Sequence, residues 1–518
     1  MVGGPGQVRQ VAPGIAVAAL IAIVVLGALC AVLWRAGGGS GLGPADYAAL
    51  RFTVVQAILS SIISGLLAVP VARALARRAF FGRSILITLL GAPFILPVIV
   101  AVLGLTAVFG RAGAISTALG WVGLPPVQIY GLHGVVLAHV FFNLPLATRI
   151  LLQGWQAIPA ERFRLAASLG MGAGQVARVL EYPMLRSTLP GALLIVFTLC
   201  LSSFAVALSL GGGPRATTVE LAIYEAFLFD FDLGRAAVLA SVQMGMVAVA
   251  AVVSLAWARQ EGFGAGMDRA IRRQDAQTPL LITQDIVVLL GVSLFLVLPL
   301  LMILLRGLPG IWHLPLAVWL SVKTSLTVVL FSVIIGMAAS FALSMAAVRI
   351  RWLEGIALLG IATSPMVIGT GLFLMIHPFD APSRYAMAVT VLANALMALP
   401  FALRVMVPEM REIYSNYNRL SASLGMSQGA WIKLVLWPRM RRVSGFAAGL
   451  TGALSMGDLG VVALFASPEQ ATLPLQVWRL MGAYRMEDAA AAALLLMAAS
   501  LAIFWLFDRG GRMDADNG

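Results

Sequence analysis

The chain has 518 residues, of which 60% are hydrophobic and 11% are charged, and its formal net charge is +13. Soluble globular proteins carry about 25% charged residues, so this composition, with a mean hydropathy of +0.96, excludes a soluble domain and indicates an integral membrane protein. The two cysteines, Cys30 and Cys200, exclude a disulfide framework, and because both fall within apolar stretches we interpret them as packing residues.

Twelve apolar stretches follow one another along the chain, each close to the roughly 20 residues that a helix needs to cross a bilayer. The first is too long for the apolar part of a cleavable signal peptide, so we expect it to be a span like the others. The sequence therefore predicts an all-α polytopic membrane protein. The predicted spans lie near residues 14–33, 52–74, 85–109, 129–150, 188–209, 236–257, 286–305, 324–347, 353–376, 386–404, 443–466 and 489–507.

The basic residues are distributed unevenly between the loops. With the amino terminus placed in the cytoplasm, most of the 35 lysines and arginines fall in cytoplasmic segments. This positive-inside bias predicts a multi-pass protein of a bacterial inner membrane, with both termini in the cytoplasm. Because no basic stripe is interleaved with aromatic residues, the net charge reflects orientation in the lipid bilayer, and we expect no nucleic-acid partner.

The chain contains an internal repeat. The stretch "RLAASLGM" at Arg164–Met171 returns as "RLSASLGM" at Arg419–Met426, 255 positions later. "LPLATR", which ends at Arg149, meets "LPFALR", which ends at Arg404, at the same offset. This register extends from about residue 144 to 237 and slips upstream to an offset of 271. The pattern indicates a tandem duplication.

The duplication predicts the domain organisation. We expect residues 1–258 to form a first six-span repeat and residues 280–518 a second one. The glycines and charges of residues 259–279 are typical of a cytoplasmic linker. An even number of spans gives both repeats the same orientation, so we expect an axis along the membrane normal and a solute path between the halves.

Each repeat has a long polar loop between its fourth and fifth spans, at residues 159–186 and 409–441. Small and apolar residues from Phe163 to Gly170 recur at the spacing of one helix face, so the first loop is predicted to contain a short helix. We expect Gly170 to break this helix and to allow close backbone approach. Pro183 is predicted to end a second short helix, and the second loop to repeat the layout.

The two loops resemble the "EAA" loop of ABC-type importer permeases, with a small or apolar pair, a glycine, and an aliphatic residue followed by proline. The resemblance implies the type I importer (MetI-like) fold, and two copies of a cytoplasmic ABC ATPase that bind one coupling loop each. The usual acidic first position is arginine in both copies, and an ordinary amphipathic interfacial helix is the alternative for a single loop. The predicted coupling residues are Arg164, Leu165, Ala166, Gly170, Met171, Gly174 and Pro183 in the first loop, and Arg419, Leu420, Ser421, Gly425, Met426, Gly429 and Pro438 in the second.

The chain lacks the residues that a nucleotide site would need. Its two lysines, Lys323 and Lys433, do not follow glycine, so no GxxxxGK[ST] motif is present. We expect a permease subunit that is not an enzyme, with no catalytic residues and no cofactor, and with its ATPase on a separate chain. The four histidines lack metal-ligand spacing, and no metal site is predicted.

Two further segments bear on the solute. "LSLGGGPRATTVELAIYEAFLFDFDLGRAAVLA" (Leu208–Ala240) and "GDLGVVALFASPEQATLPL" (Gly457–Leu475) resemble the permeases for thiamine and thiamine pyrophosphate. This resemblance implies transport of thiamine or its phosphates, delivered by a periplasmic thiamine-binding protein. A fused permease for ferric iron or another small solute is the alternative. An ion-coupled secondary transporter, or a membrane enzyme or scaffold, is a more distant one.

The residues give two interpretations of the external segment 211–234. Acidic and aromatic side chains are interleaved in this segment, and Arg215 is its one basic residue. Such a surface suits an aromatic cation such as thiazolium. The same surface also suits docking of the binding protein. Asp458 lies in an uncharged stretch and is either a carboxylate of the path or a helix-end residue. The candidates for the path or for docking are Glu220, Tyr224, Glu225, Asp230 and Asp458.

Overall fold

The computed structural model of the protein describes residues 5–38, 41–211, 213, 216–257, 273, 275–356, 364–465 and 470–513. In these ranges the secondary structure is helical, and eleven helices are long and apolar enough to cross a membrane. A further helix, Pro365–Ile376, is apolar but shorter. The prediction of an all-α polytopic protein with about twelve spans is confirmed. The predicted linker lies largely outside the described residues, which include only Arg273 and 275–279 of it.

We call residues 5–257 the first half and residues 273–513 the second half. The first half contains α1 (Pro5–Ala36), α2 (Pro44–Arg77), α3 (Arg83–Leu89), α4 (Val98–Phe109), α5 (Ala114–Trp121), α6 (Leu132–Gln156), α7 (Ala160–Ser168), α8 (Ala173–Val176), α9 (Tyr182–Leu201), α10 (Phe204–Leu210), α11 (Val219–Leu228) and α12 (Leu233–Trp257). The second half contains α13 (Pro279–Gly307), α14 (Leu316–Ala347), α15 (Pro365–Ile376), α16 (Ala386–Ser423), α17 (Gln428–Trp431), α18 (Trp437–Met456), α19 (Gly460–Phe465), α20 (Leu473–Gly482) and α21 (Met486–Met513).

Three of the predicted spans are interrupted within the described residues. A fourth, near 353–376, lies partly outside the described residues, at 357–363, and its described carboxyl-terminal part is α15. The span near 85–109 is divided into α3 and α4, and Pro97 directly precedes α4. The span near 188–209 is divided into α9 and α10 at Ser202 and Ser203, and the span near 443–466 into α18 and α19 at Gly457–Leu459. Each break occupies only a few residues within a stretch that is apolar as a whole, so hydropathy averaged over a span did not reveal it.

The two polar loops enter the bundle differently. In the first half α6 ends at Gln156, and Pro159 precedes the separate helix α7. In the second half α16 runs unbroken to Ser423, so the separate short helix predicted there is wrong. The reason is local: the position of Pro159 corresponds to Tyr414, whose backbone N–H can continue the helix where proline cannot.

The first helix of each half packs against the other half. Helix α1 lies along α14 and α15, and α13 lies along α4 and α2. Glycines allow the close approach: a Cβ on Gly14 would stand 2.4 Å from the Cβ of Ala346, and one on Gly104 would stand 2.7 Å from the carbonyl oxygen of Pro299. Small residues at such crossings are typical of helices that pack within membranes.

Within each half, three helices form a matched core. Helices α2, α6 and α9 pack on one another, and α14, α16 and α18 do the same at corresponding positions in the second half. Cys200 is buried in this core, but Cys30 is exposed on the surface of α1. The packing role predicted for Cys30 is therefore wrong.

Candidate functional site

Both polar loops present exposed leucines at corresponding positions. On α7 the exposed fractions are 60% for Leu165 and 69% for Leu169, and on the last turns of α16 they are 55% for Leu420 and 67% for Leu424. We call these four residues the coupling surface. The opposite side of α7 is anchored by Phe163, which is buried. Paired apolar side chains left open at one end of the bundle indicate an interaction site.

The helix ends beside these leucines share one backbone conformation. Gly170 has φ of +67° and Gly425 has φ of +61°. In both turns the next residue donates its N–H to the carbonyl five residues back, at 3.0 and 3.1 Å. This is a Schellman cap, which requires the left-handed conformation that glycine adopts readily. No described atom lies within 4 Å of a Cβ built on either glycine. The turn therefore requires glycine because of its backbone conformation, and not because another part of the chain approaches closely.

A π-helical turn follows each of these caps. The two turns are Ala177–Glu181 and Ile432–Leu436, again 255 positions apart, and both lead directly into the next long helix. The prediction that Pro183 ends a helix is wrong, because the chain remains helical through Pro183 and, in the second half, through Pro438. A proline lacks an N–H and crowds the carbonyl four residues back; the wider turn accommodates this.

The other predicted coupling residues surround these turns. Arg164 and Arg419 are exposed, as are Gly174 and Gly429. Ala166 and Ser421 are buried under the coupling surface, and Met171 and Met426 are half-buried at the caps. The structure therefore brings each predicted set together at one end of the bundle, which we call the basic end.

The first loop is held from below by buried ions. The carboxylate of Glu181 forms ion pairs with Arg73, at 2.8 Å from its Nε, and with Arg273. It also accepts a hydrogen bond from Nε1 of Trp155 at 3.3 Å. The guanidinium of Arg273 also lies 4.7 Å from the ring centroid of Phe163 on α7. The described end of the linker is thus in direct contact with the first coupling helix.

A second ion cluster ties α2 to α13. Nε of Arg77 donates to Asp285 at 2.8 Å, and Nε of Arg78 donates to the same carboxylate at 2.7 Å. Side-chain exposure is 1% for Arg77 and 4% for Asp285. In the sequence these arginines were interpreted as part of the positive-inside bias, and their ion pairs with Asp285 were not predicted. Asp285, an acid at the edge of a predicted span, was the available signal.

The second loop is held by apolar and aromatic contacts instead. Leu436, fully buried, stands where the first half has Glu181. The ring of Trp431 lies 4.5 Å from that of Tyr414, and the guanidinium of Arg439 lies 4.0 Å above Tyr417. The two loops therefore share backbone geometry but differ in how they are anchored.

The break between α9 and α10 and the break between α18 and α19 lie in the interior of the bundle, where polar backbone and side-chain groups need hydrogen-bond partners. The carbonyl of Cys200 accepts from Gln56 at 2.9 Å, and that of Leu201 accepts from Gln243 at 2.8 Å. In the second half Nδ2 of Asn394 donates to Oγ of Ser455 at 3.0 Å. Interrupted helices between related halves are typical of solute sites in transporters, and sequence reasoning missed these amides.

His139 connects the first break to the core. Its Nε2 lies 2.7 Å from Oγ of Ser203, at the break, and its Nδ1 lies 3.3 Å from Oγ of Ser60 on α2. This buried histidine therefore joins two hydroxyls of the first half. Asn394 occupies the corresponding place in the second half, 255 positions later.

Helices α11 and α20 enter the bundle from the end opposite the basic one. The N–H of Val219 donates to Oγ1 of Thr53 at 2.9 Å, and that of Leu473 donates to Oγ of Ser325 at 2.8 Å. Thr53 lies nine residues into α2, about 14 Å below its start. The two helix starts are 254 positions apart, so the register of 255 slips within this segment.

The predicted acidic and aromatic residues of α11 divide into two groups. Glu220 and Tyr224 are buried, whereas Asp230 is exposed and pairs with Arg235 at 2.6 Å. Glu225 is half-buried, and burial raises the pKa of its carboxyl, with Arg235 opposing the rise and Asp230 adding to it. Arg215, the positive residue of the predicted segment, lies outside the described residues.

Asp458 lies at the break between α18 and α19. Its Oδ1 accepts the N–H of Gly460 at 3.3 Å, so it caps α19 as the helix-end interpretation predicts. Its Oδ2 is buried without a hydrogen-bond partner among the described residues. The contact with Gly460 thus accounts for one of the two oxygens.

Comparison with known proteins gives full-length relatives. The chain is 38% identical over 517 residues to the thiamine transport system permease protein ThiP of Brucella abortus (strain 2308), covering 97% of this chain and 95% of that protein. It is 36% identical to ThiP of Escherichia coli (strain K12), with 96% of each chain covered. For ThiP of Haemophilus influenzae the identity is 32%, with 94% of each chain covered. No family model matches the chain.

Proposed function

Because the chain belongs to the family of thiamine transport system permease proteins, we propose that it carries thiamine or its phosphates across a bacterial inner membrane. It is a multi-pass membrane protein and a permease subunit. The proposal adds the partners and the direction of transport. ATP is hydrolysed on separate ATPase chains, and a periplasmic binding protein delivers the solute.

The observation that carries this proposal is the matched coupling surface. Two sets of exposed leucines, each followed by a left-handed glycine and a π-helical turn at an offset of 255, present the same shape twice. A repeated surface suits two copies of one partner, as a homodimeric ATPase provides. We assign one ATPase subunit to Leu165 and Leu169 and the other to Leu420 and Leu424.

The charge distribution supports the orientation. The basic end carries the coupling surface together with Arg164 and Arg419, so we place it in the cytoplasm with both termini. The opposite end, where α11 and α20 enter the bundle, then faces the periplasm and receives the binding protein. Its exposed residues Phe229, Asp230 and Phe231 belong to this docking face.

We further propose that residues 1–258 and 280–518 act as two transmembrane repeats joined by the linker 259–279. Each ATPase subunit moves one loop, and the attached helices α9 and α18 carry the movement to the interior breaks. The solute passes between the halves. The exchange of α1 and α13 favours movement of the halves relative to each other without separation.

Reconstitution tests this function directly. The permease is reconstituted in liposomes with an ABC ATPase from the same organism and ATP inside, the binding protein is added outside, and uptake of radiolabelled thiamine is measured. We expect uptake with ATP and none with a non-hydrolysable analogue. Uptake driven by a proton or sodium gradient without ATP would show a secondary transporter, and uptake of ferric iron instead of thiamine would reassign the solute.

A further inference from the structure

Three aromatic rings form a continuous series from the surface to the interior. Phe229, which is 68% exposed after the end of α11, lies 6.1 Å from Tyr224 between ring centroids. Tyr224 in turn lies 5.2 Å from Phe204 at the start of α10. Tyr224 and Phe204 are both 5% exposed. We call these three residues the aromatic ladder.

A carboxylate of the first half adjoins the inner end of the ladder. Glu220 lies one helical turn before Tyr224 on α11 and is 1% exposed. Its neighbours are the backbone of Phe204, the amide of Gln243, which lies 3.5 Å from Oε1, and the hydroxyl of Ser364 from the second half. Its Oε2 is buried and lacks a hydrogen-bond partner among the described residues.

A carboxylate of the second half approaches the same place. A Cβ built on Gly460 would lie 3.8 Å from Oδ1 of Asp458, 4.0 Å from the ring of Phe204 and 3.6 Å from Pro365. Gly460, two residues after Asp458, therefore adjoins Phe204 and Pro365, while Glu220 adjoins the backbone of Phe204 and the hydroxyl of Ser364. Phe204 belongs to the first broken span and Asp458 to the second, so the place lies where the two breaks meet.

Neither carboxylate has a cationic partner within the described ranges. A buried carboxylate oxygen that is left unpaired is costly, and an opposite charge relieves that cost. Each aromatic face attracts a cation only weakly, which is enough to guide a cation without trapping it.

We propose that Glu220 and Asp458, at the inner end of the aromatic ladder, form an internal binding site for an aromatic cation of the thiazolium class. The site rests on the proposed function, which supplies such a cation. The ladder guides the cation from the periplasmic face, and the two carboxylates hold it between the halves. Movement of the halves would separate Glu220 from Asp458 and release the cation towards the cytoplasm.

The first measurement is binding of a benzylthiazolium salt to the purified full-length permease by calorimetry. We expect Glu220→Gln and Asp458→Asn each to weaken binding at least about tenfold, and Phe204→Leu to weaken it about threefold. Asn at position 458 can still accept the N–H of Gly460, so a residue that serves only as a helix cap would leave binding unchanged. Asp380→Asn, which changes a half-buried acid that pairs with Arg384 in the second half, is the matched control.

The second measurement is ATP-driven uptake of thiamine and of its uncharged thiophene isostere in the reconstituted system. Glu220→Gln and Asp458→Asn should lower thiamine uptake about tenfold while ATP hydrolysis stimulated by the loaded binding protein persists, which shows that the variants are folded and coupled. If the wild type binds no thiazolium, or both variants bind it as the wild type does, the internal site is refuted. Absence of thiamine uptake by the wild type would refute the proposed function separately, because thiazolium binding needs neither ATP nor partners.

Discussion

The coupling surface can be tested by replacing its most exposed leucines with glutamate. Full burial of a leucine side chain contributes about 1.5–3 kcal/mol. Leu169 and Leu424 are 69% and 67% exposed in the free chain, so docking can recover about two thirds of that energy, or about 1–2 kcal/mol for each residue. The double variant Leu169→Glu with Leu424→Glu should therefore lose about 2–4 kcal/mol of ATPase binding.

That loss corresponds to a weakening of about 30-fold to 700-fold, since 1.4 kcal/mol equals a factor of ten. The assay is titration of detergent-solubilised permease with purified ATPase, followed by thiamine uptake in liposomes. The matched control is Leu169→Met with Leu424→Met, which keeps the apolar surface and should bind within about threefold of the wild type. Glutamate variants that bind the ATPase normally and still transport would refute the coupling assignment.

Replacing the leucines tests contact with the ATPase without disturbing the fold of the loop, whereas a charged residue at the glycines affects both. The double change Gly170→Arg with Gly425→Arg should also abolish uptake by preventing the ATPase from seating. At φ of +67° and +61°, however, any side chain strains the cap itself. Insertion into the membrane should persist in both cases, because neither glycine lies in a predicted span.

Two further predictions concern the buried ion pair between α2 and α13 and the cap at Gly170. Asp285→Asn leaves Arg77 buried with a weaker partner, and loss of such a pair costs about 3–5 kcal/mol. The melting temperature in detergent should therefore fall by several degrees, whereas Asp380→Asn should leave it unchanged. Equal melting temperatures of the Asp285→Asn variant and the wild type would show that the buried pair is not stabilising. Gly170→Ala should cost about 1–2 kcal/mol for the left-handed conformation, which would weaken ATPase binding about 5-fold to 30-fold. Gly172→Ala, at φ of −74°, should leave ATPase binding unchanged. Equal affinities of the two variants would show that the cap is not required.

Hydrophobic patterning predicted where the spans lie but not where they break. At the break around Ser202 and Ser203, the amides of Gln56 and Gln243 from distant parts of the chain bind two of the carbonyls that the helix leaves free. Such partners are separated by many residues, so no local pattern shows the pairing. At Pro183 the sequence predicted a helix end that the structure does not have. The π-helical turn before Pro183 accommodates the proline ring and its missing N–H, so the helix continues.

Lipid-facing and buried surfaces are also hard to separate by composition. Apolar side chains suit either environment in a membrane, which is why Cys30 and Cys200 look alike in the sequence but differ in exposure. The exchange of α1 and α13 between the halves was unpredictable for the same reason. By contrast, the matched glycines at positions 170 and 425 were visible as a repeat, because a left-handed cap restricts residue type strongly.

The two halves differ in a way that follows from what each part contacts. The caps and π-helical turns recur at the same spacing of 255 residues in both halves. Identical ATPase subunits would require surfaces of the same shape at both loops. Beneath those surfaces Glu181 faces Arg73 and the linker residue Arg273, whereas Leu436 faces an apolar core. An interior position needs only complementarity with its neighbours, so an ion cluster and an apolar cluster can support the same outer shape. The linker follows only the first half in the chain, and the ionic anchor is found where the linker meets the bundle. On the proposed function the asymmetry follows from joining two repeats in one polypeptide, and the matched outer geometry is the part that the proposed ATPase would constrain.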